Sequence, residues 1–324
     1  MTAAMSRNPF LAPLAEGTVV PEGIHIEASV LHPAEVFRRQ LTGAEFDMSE
    51  MSMASVVRLL DGGDDTWVAL PVFPYRTFFH TWMLVRTDSS IDGPGDLAGR
   101  AVGLPEYPIT GAVWTRGVLE HEFGVRPAEI TWVCERQPGN DLSSALHFEP
   151  PAGIRVEYAA PGESLASLAA AGRIDAIAVP IVERGALDPS ADELAAAVDA
   201  GRLRRLFPDR AAEQRRYRAK TGLVHINHTV VVRRSLVKAN PDVVPALLSA
   251  LEEAKRRVLA TGARLLDLYA TDPAVTVAVP PGAIDPVPYG IAGNREILRT
   301  LLGYLHEQGI TTREWGVEEV FTAH

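Results

Sequence analysis

Four short stretches of this chain carry side chains suited to chemistry on a small acid. VGLPEYPITGAVW, residues 102–114, holds Glu106 and Tyr107 between two prolines and leads into Thr110 and Trp114, with Arg116 just beyond. FDMSEMSMAS offers Ser49, Glu50 and Ser52. FPYRTFFH supplies His80 and Arg76, and arginine is the residue type suited to bidentate capture of a carboxylate. HINHTVVVRR supplies His225 and His228. On a strand, residues three apart point to opposite faces, so a metal ion shared by these two is disfavoured and a single imidazole acting as acid or base is the better reading. Taken singly, each feature also has a structural reading. Ser49 and Glu50 can be helix-capping residues, a lone arginine is commonly a surface residue, and Trp114 can be plain core.

These groups need elements to present them, and the sequence punctuates those elements clearly. PEGIHIEASVL alternates as a strand, and Pro33 opens a short helix that Gly43 can close. FDMSEMSMASVVRLLDGG reads as a strand end, a polar loop and a helix stopped by two glycines. WVALPVFPYRTFFHTWMLVR is rich in β-branched and aromatic residues and predicts one or two strands broken near Pro71 and Pro74. The Gly-, Asp- and Ser-rich TDSSIDGPGDLAGR then suggests a first crossing between domains near Thr87 to Arg100. AVGLP, TGAVWTRGVLEHEFG and ITWVCE form a β-α-β unit, its helix capped by Thr110 and ended by Gly124. IRVEYA, ESLASLAAAG and IDAIAVP repeat the pattern, ending in a strand apolar on both faces. HTVVVRRSLV predicts another buried strand. Asn240-Pro241 starts a helix through Arg257, and NREILRTLLGYLHEQG is a last helix with Asn294 as cap. The expected architecture is α/β and two-lobed, each lobe a mixed sheet flanked by helices with a ligand cleft between them. Residues 1–98 and 227–324 make one discontinuous lobe and residues 99–226 the other.

Composition narrows the function classes. The 324 residues are 47% hydrophobic, enough for two cores, and the net charge of -10 argues against a nucleic-acid partner. Cys134, the single cysteine, excludes an internal disulfide and a thiolate metal cluster, and ITWVCER reads as a strand in which it is a small buried hydrophobe. No stretch approaches the roughly 18 apolar residues of a membrane helix, and the N-terminal thirty residues do not read as a leader, so a cytoplasmic protein without a membrane partner is expected. P-loop, G-x-S-x-G, H-E-x-x-H and dinucleotide fingerprints are absent from the sequence.

FDMSEMS, ALPVFPYRTFFH, DLAGRAVGLPEYPITGAVWTRGVLEHEFGV, NHTVVVRR and PYGIAGNREIL, in this order, together resemble the 4,5-dihydroxyphthalate decarboxylase family. The resemblance runs with gaps from about Pro21 to Phe321. It implies a fold like that of the type 2 periplasmic binding proteins and a lyase that removes one carboxylate from a dihydroxylated aromatic dicarboxylate without an organic cofactor; no metal-ligating residue is assigned, and whether a metal ion assists is left open. It carries over to Ser49, Glu50, Ser52, Arg76, His80, Glu106, Tyr107, Thr110, Trp114, Arg116, His228, Tyr289, Asn294 and Arg295. Two departures stand out. VPIVERG keeps Pro180 but moves the nearest arginine to Arg184, where the family has a Ser-Pro-Arg-like turn, and no first strand is evident in MTAAMSRNPFLAPLA.

Losing carbon dioxide from an aromatic ring calls for a base, an acid and an anion clamp. Arg76 and the helix start at Thr110 are the expected clamp, with Arg295 in reserve. His228 and His80 are the expected proton carriers, Glu106 orients or ionises a ring hydroxyl, and Tyr107 and Trp114 wall the ring. The expected partner is a small aromatic carboxylate, and self-association into a homo-oligomer is left open. The alternatives are another lyase on the same fold, such as the chorismate-type dehydratases of menaquinone synthesis, a non-catalytic solute-binding protein, or a ligand sensor.

Overall fold

The computed structural model describes residues 1–139, 141–179, 191–269, 285 and 287–321. Its first strands are β1 (Thr2–Met5), β2 (Glu27–Val30), β3 (Met48–Ser52), β4 (Trp67–Leu70), β5 (Arg76–Thr77) and β6 (Leu84–Arg86). There follow β7 (Ala101–Leu104), β8 (Thr131–Cys134), β9 (Arg155–Tyr158), β10 (Ala176–Ile177), β11 (Leu203–Arg205), β12 (His225–Ile226) and β13 (His228–Arg233). One sheet has the order β2-β1-β3-β13-β4, with β13 antiparallel to both neighbours and the β1 pairings parallel. The other has the order β11-β6-β10-β7-β8-β9, where β6 is antiparallel to both β10 and β11. Each sheet belongs to one lobe and is flanked by helices.

The third sheet is the two-stranded pair of β5 and β12, in which Arg76 faces Ile226 and Thr77 faces His225. It is where the chain passes between the lobes, out after β4 and back into β13. The sequence places the first crossing at Thr87 to Arg100 and a lobe boundary at residue 98, but Leu84–Arg86 already lies in the second sheet. The Gly- and Asp-rich loop joins two strands of one sheet, and its composition is that of any exposed turn.

The strand missing from the sequence reading is β1, held between β2 and β3 at the very start of the chain. Ala3 and Ala4 are fully buried there. Alanine has weak strand propensity, so nothing local marks this segment; its position in the sheet makes it a strand. The long C-terminal helix runs Val243–Tyr269, beyond the expected stop at Arg257, and its start is prepared by the Asn240 side chain accepting the Asp242 N–H at 3.2 Å. Cys134 is buried, and burial pushes its thiol up to about 12, in keeping with a structural residue.

Helix Thr110–Phe123 is buried along most of its length and packs on helix Arg295–Glu307. Contact this close requires Gly117, because a β-carbon there would overlap the ring of Tyr304. The ring is part of a stack with His121 at 5.0 Å and cannot turn aside cheaply. Gly117→Ala is therefore expected to cost about 1–3 kcal/mol through overpacking, despite alanine's better helix propensity. A urea melt checks this; a variant as stable as the parent would show that the two helices can separate without cost.

Candidate active site

The site grows out of β3, an all-buried central strand with an unusually polar sequence, Met-Ser-Glu-Met-Ser. Side chains alternate across it, so Met48, Glu50 and Ser52 share one face and Ser49 and Met51 the other. Antiparallel pairing sets His228 opposite Ser52 and Val230 opposite Glu50, which puts His228, Ser52 and Glu50 on the same face. His228 Nδ1 lies 3.4 Å from Glu50 Oε1, and Glu50 Oε2 accepts the Ser6 N–H at 2.6 Å. Burial works to raise the Glu50 pKa, but His228 and the Ser6 donor outweigh it and hold the carboxyl below its ordinary value. Nε2 of His228 is 2.8 Å from the Asn227 amide nitrogen. The ring of Tyr75 lies 5.5 Å away, and Phe37 meets the imidazole edge-on at 4.9 Å.

Beside this pair the two lobes touch through hydroxyls. Ser52 Oγ and Thr110 Oγ1 are 2.7 Å apart, and Thr110 Oγ1 accepts the Ala54 N–H at 2.9 Å. Thr110 is thus not the cap of its own helix, as the sequence suggests; the residue before that helix is Ile109, which makes no side-chain cap. It caps helix Met53–Asp61 from the other lobe. The N-termini of these two helices converge here, and their positive dipole ends favour an anion. Next to Thr110, Gly111 lets the Phe79 ring and Val179 pack against this helix start, since a β-carbon would come within about 3 Å of both.

Arg76, on the crossing strand β5, donates through Nη2 to the Pro288 carbonyl at 2.7 Å and to Asn294 Oδ1 at 2.6 Å. No carboxylate of the described residues forms an ion pair with it, and burial lowers its pKa to about 10. Asn294 in turn donates to Pro288 and Gly290, so the PYGIAGN turn is folded around this arginine. Tyr289, from the same turn, is buried with Lys255 Nζ 4.0 Å from its ring centre, and burial raises its phenol well above the usual value.

Other sequence-derived candidates are engaged elsewhere. Glu106 Oε1 pairs with Arg136 at 2.5 Å, and Oε2 accepts the N–H groups of Leu142 and Ser143 at 2.9 and 3.2 Å. Both oxygens are spent inside the second lobe on an ion pair and a helix start. Tyr107 stacks on Phe148, with the Arg116 guanidinium 3.7 Å from its ring centre, and Arg116 Nε donates to Gln308 at 2.8 Å. Trp114 donates to the Ile226 carbonyl at 2.7 Å and stacks on His225 at 4.4 Å, bracing the crossing strand. His80 is buried on Glu213, 3.1 Å away, and burial lowers its pKa. Ser49 lies on the opposite face of β3 from Glu50, and Arg295 is exposed in a pair with Glu318. Pro180 and Arg184 lie outside the described residues. His225 and His228 fall on different strands of different sheets, and among the described residues no group of three or more His, Cys, Asp or Glu is placed to hold a metal ion. A surface groove lined by residues from Thr18 to Ile24 and from Asn240 to Arg257 shares none of the site residues.

Ser6, Asn8, Tyr75 and Asn227 escape the sequence reading. Ser6 and Asn8 follow β1, the strand that was not legible, and Asn8 Nδ2 anchors the Pro74 carbonyl at 3.0 Å. Tyr75 and Asn227 flank residues that were chosen, Arg76 and His228, and only the pairing of β5 with β12 brings them together.

No family model matches the chain. Among curated proteins, the 4,5-dihydroxyphthalate decarboxylase of Comamonas testosteroni is 29% identical over 99% of this chain and 96% of its own length. That of Pseudomonas putida is 33% identical over 56% of this chain and 70% of its own. Among solved structures, the periplasmic aliphatic sulphonate binding protein of Escherichia coli superposes with a TM-score of 0.54 at 14% identity, covering 98% of this chain and 90% of that one. The desulfurization enzyme DSZB does so at 0.53 and 18%, covering 98% and 95%. The fold is thus the periplasmic-binding-protein-like one. No helix among the described residues is long and apolar enough to cross a membrane.

The pair of His80 and Glu213 has a checkable consequence for stability. Although burial alone would raise the Glu213 pKa, Arg216 and His80 bring it down from 4.5 to about 2. A carboxylate depressed in the folded state stabilises the fold above its unfolded pKa, and that contribution is lost as pH falls through the folded value. The gap in urea midpoint between the parent and Glu213→Gln is therefore expected to be full above pH 4.5 and to close progressively toward about 2. A gap independent of pH would mean that the carboxylate charge adds nothing to stability.

Proposed function

The chain belongs to the 4,5-dihydroxyphthalate decarboxylase family, and from that membership we propose that it converts 4,5-dihydroxyphthalate into 3,4-dihydroxybenzoate and carbon dioxide. The observation that carries the reading is the near end-to-end match to a curated decarboxylase, 99% of this chain against 96% of that one. The site chemistry suits it. Each carboxylate of this substrate stands para to a hydroxyl, so ionising that hydroxyl pushes an electron pair through the ring to the carbon bearing the carboxylate. That carbon takes a proton, and its bond to the carboxylate then breaks. The bonding pair returns to the ring as carbon dioxide departs, and one proton is consumed overall.

His228 is the proposed proton donor to the ring carbon, with Glu50 holding the imidazolium in place. The donors at the two helix starts, with Ser52 and Thr110, take up anionic oxygens of the substrate, and Arg76 offers a cation at the same cleft. Binding there replaces the direct contact of the two hydroxyls with contacts to the ligand, so the substrate itself bridges the lobes. Tyr75, 40% exposed beside His228, supplies a ring face for stacking. The proposal sets this enzyme in the cytoplasm and requires of the chain only proton transfer and charge stabilisation, without an organic cofactor.

Incubation of the protein with 4,5-dihydroxyphthalate, with and without chelator, should release carbon dioxide and 3,4-dihydroxybenzoate at equal rates in both arms. Absence of product would overturn the substrate assignment, and loss of turnover with chelator would overturn metal independence. In the same assay His228→Ala is expected to lower kcat by roughly 10²- to 10⁴-fold while the circular dichroism spectrum is retained. An unchanged kcat would remove His228 from the mechanism.

A further inference from the structure

Asn227 stands alone between the crossing strand β12 and β13, and its backbone is held on both sides. Its N–H donates to the Tyr75 carbonyl at 3.0 Å, and its own carbonyl accepts the Met53 N–H at 3.0 Å. The backbone is fixed, so only the side-chain amide can turn. That amide lies 2.8 Å from His228 Nε2, while Nδ1 of the same ring faces Glu50 at 3.4 Å.

The two neighbours impose different conditions on the imidazole. An ionised carboxylate only accepts, so Nδ1 keeps its hydrogen whether the ring is neutral or charged. The proton gained and lost therefore sits on Nε2. A neutral Nε2 is an acceptor and needs a donor opposite it; a protonated Nε2 is a donor and needs an acceptor. A carboxylate or an aliphatic side chain in that place meets at most one of these conditions. An amide meets both, presenting NH2 in one orientation and Oδ1 after a half-turn about its terminal bond.

We propose that Asn227 is a positioning residue for the decarboxylation, its amide turning as the Nε2 proton leaves and returns, so that His228 keeps one ring orientation through the cycle. This rests on the reading of His228 as proton donor. With the ring charged, Oδ1 holds Nε2–H on the line along which substrate arrives. The substrate carbon displaces Oδ1 and takes the proton: the N–H bond breaks, its pair stays on nitrogen, and a C–H bond forms from the ring's electrons. The NH2 end then covers the bare nitrogen until a solvent proton restores the imidazolium. Ring tumbling, which would carry the proton away from the substrate, is excluded at both stages.

Asn227→Leu, which has the same branched arrangement of heavy atoms but no hydrogen-bonding groups, and Asn227→Gln, which keeps the amide one methylene further out, test the proposal with two readouts. In protein labelled with 15N-histidine, neutral His228 of the parent should show a protonated Nδ1 and an Nε2 shift displaced by an accepted hydrogen bond. The leucine variant should lose that displacement. In the assay, kcat should fall roughly tenfold or more in the leucine variant with KM within about twofold, and recover in part in the glutamine variant. An unaltered Nε2 shift in the leucine variant would show that the amide makes no such bond, and an altered shift with unaltered kcat would show that the bond plays no part in turnover. Either result overturns the inference. Failure of the underlying reading appears separately, as a His228→Ala variant that keeps its kcat.

Discussion

The structure depends on a ladder of two residues per strand, the pairing of β5 with β12 where the chain passes between lobes. Arg76 is on one strand, and Asn227 and His228 follow directly after the other. The second lobe holds the same ladder from behind, because Trp114, on the helix that begins at Thr110, donates to Ile226 and stacks on His225. One short element therefore sets where a cation, an imidazole and a helix start stand relative to each other. A displacement of a single register step would turn each side chain to the other face. His225 in this ladder is fully buried, and burial together with the nearby His80 drives its pKa well below the ordinary value, so it is a neutral aromatic ring in the crossing.

Around this ladder the polar groups are arranged so that few charges are left uncompensated. A carboxylate inside a central strand is costly unless its lone pairs are met, and Glu50 meets that requirement with an imidazole and a backbone donor. Thr110 shows the same economy across the cleft, where one hydroxyl caps a helix of the other lobe and touches Ser52. Arg76 departs from this pattern. Its hydrogen bonds go to neutral oxygens of Pro288 and Asn294, which fix the guanidinium without cancelling its charge. A net charge of -10 disfavours any anion at long range, so for the proposed substrate attraction has to come from local sources such as the cation and the two helix ends.

Much of this architecture is legible in the sequence because it is written in local terms. Gly124 stands at a φ of 72° as the stop of the helix from Thr110, where a left-handed residue is required. The β-α-β run from AVGLP to ITWVCE likewise declares a parallel sheet before any contact is known. What stays hidden are relations fixed by tertiary pairing. β1 is recognisable only by its neighbours in the sheet, and the residues just after it, Ser6 and Asn8, are hidden with it. The stiff loop holding Glu106 and Tyr107 illustrates the opposite error. Two prolines around a carboxylate and a phenol suggest ligand contact, yet the loop is stiff in order to cap the helix at Leu142 and to stack on Phe148. Residue type and spacing reveal that a buried acid needs partners; they do not reveal whether the partners are a substrate or the protein itself.

The same distinction separates a binder from an enzyme on this fold, which is shared by a sulphonate-binding protein and a desulfurization enzyme. Holding an anion takes helix starts, hydroxyls and an arginine, and all of these can be satisfied by ligand oxygens alone. Such a site has no use for an imidazole backed by a buried carboxylate, because the pair is expensive to desolvate and adds little to the grip on an anion. Glu50 and His228 occupy the same face of the sheet as Ser52, and Ser52 touches Thr110 at the converging helix starts. For the proposed reaction, in which an anion must receive a proton before it can lose carbon dioxide, an imidazole on the same face of the sheet as Ser52 is the economical arrangement.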